Sequence, residues 1–165
     1  MSNESGAPAD AYPYERAWNY VLWLLGRQTY TTGQLKDKLV RKGATEETIT
    51  RVLDKLLELK LVDDALYAET FVRTRSRNKG AIRLRQELFR KGVAEPLVDK
   101  AVGNLDEATQ LGSAVALAQK NRWRWKGEPR ARYAKAYAFL ARRGFPVDVV
   151  RGALEQTLTP EDGDN

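Results

Sequence analysis

The segment Leu39-Val-Arg-Lys-Gly43 recurs twice more in this chain of 165 residues, as Leu88-Phe-Arg-Lys-Gly92 and Leu140-Ala-Arg-Arg-Gly144. Each copy reads leucine, any residue, two basic residues and glycine, and apolar residues at helical spacing follow each glycine. The glycines lie 49 and 52 residues apart. Self-similarity at a period of roughly 50 residues is typical of chains built from repeated supersecondary units. The sequence therefore predicts a threefold internal repeat.

The residues around the first copy indicate how a repeat folds. Thr31 and Gln34 have the spacing of a capping box, which starts a helix by satisfying free backbone N–H groups. Gly43 stands where that helix should end, since glycine adopts the left-handed conformation of a helix terminus without the steric cost of a Cβ. Thr45 then caps a second helix. The basic pair before the glycine either only ends the helix, whose dipole favours cations there, or also contacts a partner.

A further helix precedes each of these helix pairs, and no segment shows the alternation of a strand. These additional helices are predicted at about 14–27, 64–79 and 107–122. We therefore predict an all-α protein of three tandem three-helix repeats, each helix-turn-helix-like. The repeats are expected to span 14–62, 63–106 and 107–158. One such unit buries too little apolar surface to be stable alone, so a stacked, elongated body is expected.

Acidic tails flank a basic body. The chain has 28 Lys and Arg against 22 Asp and Glu, a formal net charge of +6. Residues 1–13 and 159–165 hold five of the acidic residues and no basic one, so the body carries +11. Both tails are small, polar and without periodicity, and we predict that they are disordered. Since the sequence shows neither a signal peptide nor an apolar run long enough to cross a bilayer, we expect a cytoplasmic protein without membrane contact.

The composition removes most catalytic chemistries. The chain has no His and no Cys, which excludes His-dependent nucleophilic catalysis, thiolate nucleophiles and the commonest zinc sites. It also has no phosphate-binding glycine loop of the ATPase type. The acidic pair Asp63-Asp64 is interpreted as a helix start, in which one residue caps the helix and the other meets its dipole. We therefore expect no enzymatic activity, no cofactor and no metal.

Two segments of nearly uniform positive charge form the candidate binding surface. Residues 73–91 carry a net charge of +7 and residues 120–143 a net charge of +8. Solvated helix faces usually mix charge signs, whereas single-sign runs more often meet a polyanion or an acidic partner. The candidate residues are Arg73, Arg75, Arg77, Lys79, Arg83, Arg85, Arg90, Lys91, Arg122, Trp123, Arg124, Trp125, Lys126, Arg130, Arg132, Arg142 and Arg143.

The segment Arg122-Trp-Arg-Trp-Lys126 alternates basic and aromatic residues just before Gly127. Such a loop can stack nucleic-acid bases on its tryptophans and neutralise phosphates with its cations. Equally, the tryptophans of an interhelix loop can fold back and fill the core. The sequence leaves both interpretations open, and nothing in it indicates a base-reading code.

The segment from Leu59 to Arg73, Leu-Lys-Leu-Val-Asp-Asp-Ala-Leu-Tyr-Ala-Glu-Thr-Phe-Val-Arg, resembles a signature of the RecX family of bacterial recombination regulators. Further blocks at 39–43, 82–92 and 140–145 match the family in the same order. The resemblance covers about 14–158, nearly the whole basic body. The loop from Trp123 to Gly127 departs from the family pattern, and the basic residues correspond to the family only as a surface.

The resemblance implies a modulator of the RecA recombinase in homologous recombination, DNA repair and the SOS response. Members of this family look like curved tandem three-helix proteins that lodge in the groove of the RecA–DNA filament. There they inhibit ATP hydrolysis, strand exchange and coprotease activity, and they bind single- and double-stranded DNA weakly and non-specifically. We accordingly expect a monomer whose basic surface meets the filament. The alternative is a DNA-binding protein, non-specific or a transcriptional repressor, that uses basic helix-turn-helix units.

Overall fold

The computed structural model describes residues 11–158, and this part of the chain is helical without a strand. The helices are α1 (Tyr14–Leu25), α2 (Thr32–Arg41), α3 (Glu46–Glu58), α4 (Asp64–Arg75), α5 (Ala81–Arg90), α6 (Glu95–Gly103), α7 (Glu107–Asn121), a short 3-10 helix (Arg122–Arg124), α8 (Pro129–Arg142) and α9 (Val147–Thr157). Three sets of three α-helices follow one another in tandem, which confirms the predicted fold class. Over the same residues, none of the helices is both long and apolar enough to cross a membrane.

The predicted tails fall almost wholly outside the described residues. Only Ala11, Tyr12 and Pro13 of the N-terminal tail are described. Tyr12 is half-buried and packs on the apolar core that contains Val21 and Leu24 of α1. Its ring lies 6.3 Å from that of Tyr20 in an edge-to-face arrangement. The prediction of disorder therefore does not hold at Tyr12, because its ring finds an aromatic and apolar surface to cover.

The described residues form two compact units. Unit 1 contains the described residues up to Tyr67 together with Lys91–Val93, and unit 2 contains Ala68–Arg90 and the described residues from Ala94 onward. Both have aliphatic cores. The fully buried leucines and valines are Val21, Leu35, Leu39, Val52 and Leu56 in unit 1, and Leu84, Leu88, Val98, Leu140, Val150 and Leu154 in unit 2. Each such side chain is worth about 1.5–3 kcal/mol, so burial of these positions is the main stabilising term.

The three repeated glycines end helices in the left-handed conformation, as predicted. Their φ angles are +87° at Gly43, +78° at Gly92 and +88° at Gly144. The leucine of the repeated segment accepts the closing hydrogen bond of the helix: the carbonyl of Leu39 accepts from the N–H of residue 44 at 3.1 Å, and that of Leu140 from residue 145 at 3.4 Å. The repeated pattern is thus a helix C-terminus in which the glycine supplies the left-handed residue and, in the first and third copies, the leucine carbonyl accepts the closing bond.

Helix starts use the predicted caps. Thr31 and Gln34 form the capping box of α2. Asp63 accepts a hydrogen bond from the N–H of Leu66 at 3.0 Å, which confirms its interpretation as the cap of α4. Asp64 is expected only to interact with the helix dipole, but its carboxylate also accepts two hydrogen bonds from α2. The N–H of Thr32 donates at 2.9 Å and its hydroxyl at 2.6 Å. The acidic pair therefore fixes the starts of two helices.

Two helix starts also lie against helix ends at close range. In unit 1 the hydroxyl of Thr31 donates to the carbonyl of Lys91, and a Cβ on Gly33 would lie 2.6 Å from the carbonyl oxygen of Gly92. We call this contact the α2 junction. In unit 2 the N–H of Gly80 donates to the carbonyl of Arg143 at 2.9 Å, and a Cβ on Gly80 would collide with the carbonyl of Gly144. We call this contact the α5 junction.

Candidate functional site

Most of the candidate residues lie at the surface. Those that are exposed are Arg73, Arg75, Arg77, Arg83, Arg90, Arg122, Trp123, Arg124, Lys126, Arg130 and Arg142. Those that are half-buried are Lys79, Arg85, Lys91, Arg132 and Arg143. Trp125 is buried. Exposure alone does not make a cation available to a partner, however, because several of these side chains already have intramolecular partners.

The three arginines at the end of α4 keep most of their charge available. Arg73 lies 3.8 Å from Glu69, and both side chains are largely exposed, so this ion pair is weak. Arg75 places its guanidinium 4.1 Å from the centre of the Phe71 ring. Arg77 has no ion pair or hydrogen bond from its side chain within residues 11–158. This end of α4 therefore presents positive charge to solvent.

Glu87 on α5 holds two of the candidate cations. The Nζ of Lys79 lies 2.8 Å from both carboxylate oxygens of Glu87, and the Nε of Arg83 lies 3.1 Å from one of them. Burial raises the pKa of Glu87, but the hydrogen bonds and charges of Lys79 and Arg83 outweigh it and leave that pKa below its ordinary value. Because Glu87 stays ionised, this part of the basic run is internally compensated.

Other candidate cations also have structural partners in unit 2. Arg85 forms an ion pair with Asp99. Arg83 donates to the carbonyl of Arg142 at 3.1 Å, and Arg143 donates to the carbonyl of Asn78 at 3.3 Å. These side chains satisfy backbone carbonyls around the α5 junction, so part of the predicted surface charge stabilises the fold.

The two loop tryptophans occupy opposite environments. Trp123, in the 3-10 helix, is 74% exposed, whereas Trp125 is 8% exposed. The ring of Trp125 packs edge-to-face on Phe139 of α8, with 5.5 Å between ring centres. Of the two interpretations of the loop tryptophans, core filling therefore holds for Trp125, whose ring enters the core of unit 2 after the tight 3-10 turn. Trp123 is the loop tryptophan whose side chain is largely open to solvent.

An open groove of about 440 Å³ lies between the loop and α8 in unit 2. Arg124, Lys135 and Arg142 line it together with Trp125, Phe139 and two alanines. Arg124 and Arg143 both lie over the Phe139 ring, at 6.0 and 5.2 Å from its centre. The groove thus combines an aromatic floor with cationic walls, which suits an anionic ligand. Lys135 and Phe139 are not among the candidate residues. They reach the groove because α8 folds back beside the loop, and the sequence does not show that contact.

A second surface, in unit 1, was not predicted. Along α1, Tyr20 stacks on Trp23 at 6.2 Å and 17° between ring planes, and Tyr12 meets Tyr20 edge-to-face. Cations lie over these rings: Arg16 over Tyr12 at 5.0 Å, Arg27 over Trp23 at 4.9 Å and Lys42 over Tyr20 at 4.9 Å. We call these six residues the aromatic ladder. The signal in the sequence was the five aromatic residues between Tyr12 and Trp23.

Comparison with known proteins assigns all three helical sets. Models of the first, second and third three-helix domains of RecX match residues 17–56, 63–102 and 108–154. The regulatory protein RecX of Chlorobium phaeobacteroides (strain BS1) is 35% identical over 86% of this chain and 93% of its own length. That of Thermobifida fusca (strain YX) is 35% identical over 95% of this chain and 85% of its own. The crystal structure of RecX from Lactobacillus salivarius superposes with a TM-score of 0.78 at 27% identity, covering 87% of this chain and 96% of that one.

Proposed function

The chain belongs to the RecX family of regulatory proteins, and on this premise we propose that it regulates the RecA recombinase. It binds the RecA–DNA filament and inhibits its ATP hydrolysis, strand exchange and coprotease activity, and so acts in homologous recombination and DNA repair. A regulatory family, rather than an enzyme family, fits a chain that has neither His nor Cys.

The observation that best supports this proposal is the uncompensated positive charge of unit 2. Arg77, Arg90, Arg130 and Arg142 are exposed, and their side chains form no ion pair with any residue of 11–158. Unpaired guanidinium groups keep their full charge for a polyanion, and they match the fork geometry of phosphates and carboxylates. A filament of protein wound on DNA offers both kinds of anion.

The proposal is tested by adding the purified chain to RecA assembled on single-stranded DNA. We expect ATP hydrolysis and strand exchange to fall at stoichiometric amounts. Reversing Arg73, Arg75 and Arg77 to Glu should weaken inhibition at least tenfold while helicity by circular dichroism stays unchanged. The matched control reverses three exposed cations outside the candidate surface, Lys36, Lys100 and Arg151, and should inhibit normally. No effect of the unaltered chain on RecA would refute the proposal.

Direct DNA binding is a second candidate function, favoured by exposed Trp123 beside the cationic groove. As an independent activity, non-specific or in transcriptional repression, it predicts binding to naked duplex DNA that weakens steeply with salt, because each neutralised phosphate releases a counterion. Negligible affinity for naked DNA at moderate salt, together with tight binding to RecA filaments, would rule it out as the main function. Sedimentation of the free chain tests our further proposal that it is a monomer.

A further inference from the structure

We propose that the aromatic ladder of unit 1 binds a single strand of nucleic acid, with a base stacked on Trp23 and phosphates held by Arg16, Arg27 and Lys42. This surface lies outside the basic runs at 73–91 and 120–143. All its contacts lie within unit 1, and binding of a strand to it requires no RecA.

The ladder presents one aromatic ring, that of Trp23, outside the core, whereas Tyr12 and Tyr20 pack against the core of unit 1. The side of α1 that builds the core carries Ala17, Val21 and Leu24, which are all buried. Trp23 is 56% exposed and does not pack against the core of unit 1. Tyr20 stacks on the Trp23 ring and holds it at the surface, and the Arg27 guanidinium lies 4.9 Å from its centre. A base that stacks on Trp23 would take the place of this guanidinium.

The cations of the ladder are available to an anion. Arg16, Arg27 and Lys42 lie over rings, but none of them forms an ion pair with a carboxylate among residues 11–158. Lys79, which Glu87 holds at 2.8 Å, shows the opposite arrangement. A cation–π contact at an exposed site is weak, so these side chains can turn from ring to phosphate at little cost.

The alternation of rings and unpaired cations favours a single-stranded nucleic acid over a protein. Proteins that bind single strands without sequence preference combine aromatic rings for the bases with positive charge along the backbone. The core of a protein interface is instead depleted in charged residues. A duplex hides its base faces, so it would meet the ladder's cations and leave the Trp23 face unused.

The decisive test removes bases and keeps phosphates. Binding of a fluorescent oligothymidylate of about 15 nucleotides, a length that spans a typical site, is compared by anisotropy with an abasic strand of the same length. The unaltered chain should bind the thymidylate about tenfold more tightly, since stacking one base is worth roughly one decade in affinity. Trp23→Ala should lose that preference and bind both strands alike. Leu22→Ala, an exposed apolar neighbour on α1, is the control and should keep the preference.

Each remaining outcome decides against the ladder. Equal binding of both strands by the unaltered chain would mean that it does not stack bases. A preference that survives Trp23→Ala and disappears in Trp123→Ala would place stacking in the loop of unit 2. Loss of RecA inhibition in Trp23→Ala without any binding to oligonucleotides would identify the ladder as a protein interface. Because the binding assay contains no RecA, its failure is distinct from failure of the proposed regulation.

Discussion

The α2 junction and the α5 junction fix a helix start against a helix end with different chemical groups. At the α2 junction Thr31 donates through its hydroxyl, and the N–H of Thr32 meets the Asp64 carboxylate at 2.9 Å. At the α5 junction Gly80 donates through its backbone N–H, and the N–H of Ala81 meets the Gln110 amide oxygen at 2.9 Å. The shared requirement is that the free N–H groups of a helix start find an acceptor. A charged or a neutral acceptor satisfies it.

Gly43, in the first copy of the repeat, lies at neither junction and so shows what the junctions add. Gly43 has the same left-handed backbone as Gly144, but nothing lies within 4 Å of the position that a Cβ would take. A Cβ on Gly144 would collide with Arg83. The glycine is therefore required by conformation alone at 43, and by conformation and close contact at 144. Sequence similarity among the three copies conceals this difference.

The largest effects are expected from methyl groups added at the α5 junction, and Gly80→Ala is the first of these changes. The new methyl group would meet the backbone carbonyl of Gly144, which cannot turn aside as a side chain can. Overpacking costs about 1–3 kcal/mol, and displaced hydrogen bonds of the junction add about 1 kcal/mol each. We expect the free energy of unfolding to fall by about 3 kcal/mol in denaturant titrations. Gly112→Ala in α7, where the Cβ meets nothing within 4 Å, is the control and should be neutral or slightly stabilising.

Asp64→Ala should cost about 2 kcal/mol, because it removes two hydrogen bonds from an ionised acceptor and leaves the N–H of Thr32 unpaired. Asp64→Asn keeps an oxygen acceptor and should recover part of that loss. Gln110→Ala, which removes one neutral bond at the other junction, should cost about 1 kcal/mol. An equal loss in Asp64→Ala and Gln110→Ala would show that the charge of the acceptor does not distinguish the junctions.

Gly43→Ala is expected to cost about 1–2 kcal/mol, the penalty for a Cβ in the left-handed conformation. Gly144→Ala should cost more, since the clash with Arg83 adds to the same penalty. Thermal melting separates them, because each kcal/mol lowers the melting temperature of a chain of this size by about 2–4 °C. Equal melting temperatures for these two variants would mean that the contact at Gly144 adds nothing.

The sequence predicted local features well because their causes lie within one turn of helix. The glycine termini, the Thr31 capping box and the Asp63 cap each depend on residues a few positions apart. Burial of Trp125 depends on Phe139 of another helix, and the aromatic ladder depends on Lys42, the residue after α2, lying over Tyr20 of α1. Spacing within a single element gives no information on such contacts. The net charge of the basic runs likewise follows from the sequence. It did not show which of their cations form ion pairs with Glu87 and Asp99 in the folded chain.

The smallest effect concerns Glu87, which holds the Lys79 that precedes Gly80 at the α5 junction. The folded chain lowers the pKa of Glu87 from its ordinary value of 4.5. The stabilisation that ionised Glu87 gives the fold is therefore complete above pH 4.5 and is lost as the pH falls through the lowered pKa.

Glu87→Gln should lower the free energy of unfolding at pH 7 by less than about 1 kcal/mol, as for other partly exposed ion pairs. Denaturant titrations across an acidic pH series should show this difference shrinking towards zero. The pKa of Asp106 is also lowered, by its hydrogen bonds from Thr109. Asp106 is present in the unaltered protein and in the variant, so its contribution cancels in the difference between them. A difference that stays constant or grows on acidification would show that Glu87 acts through packing rather than through its charge.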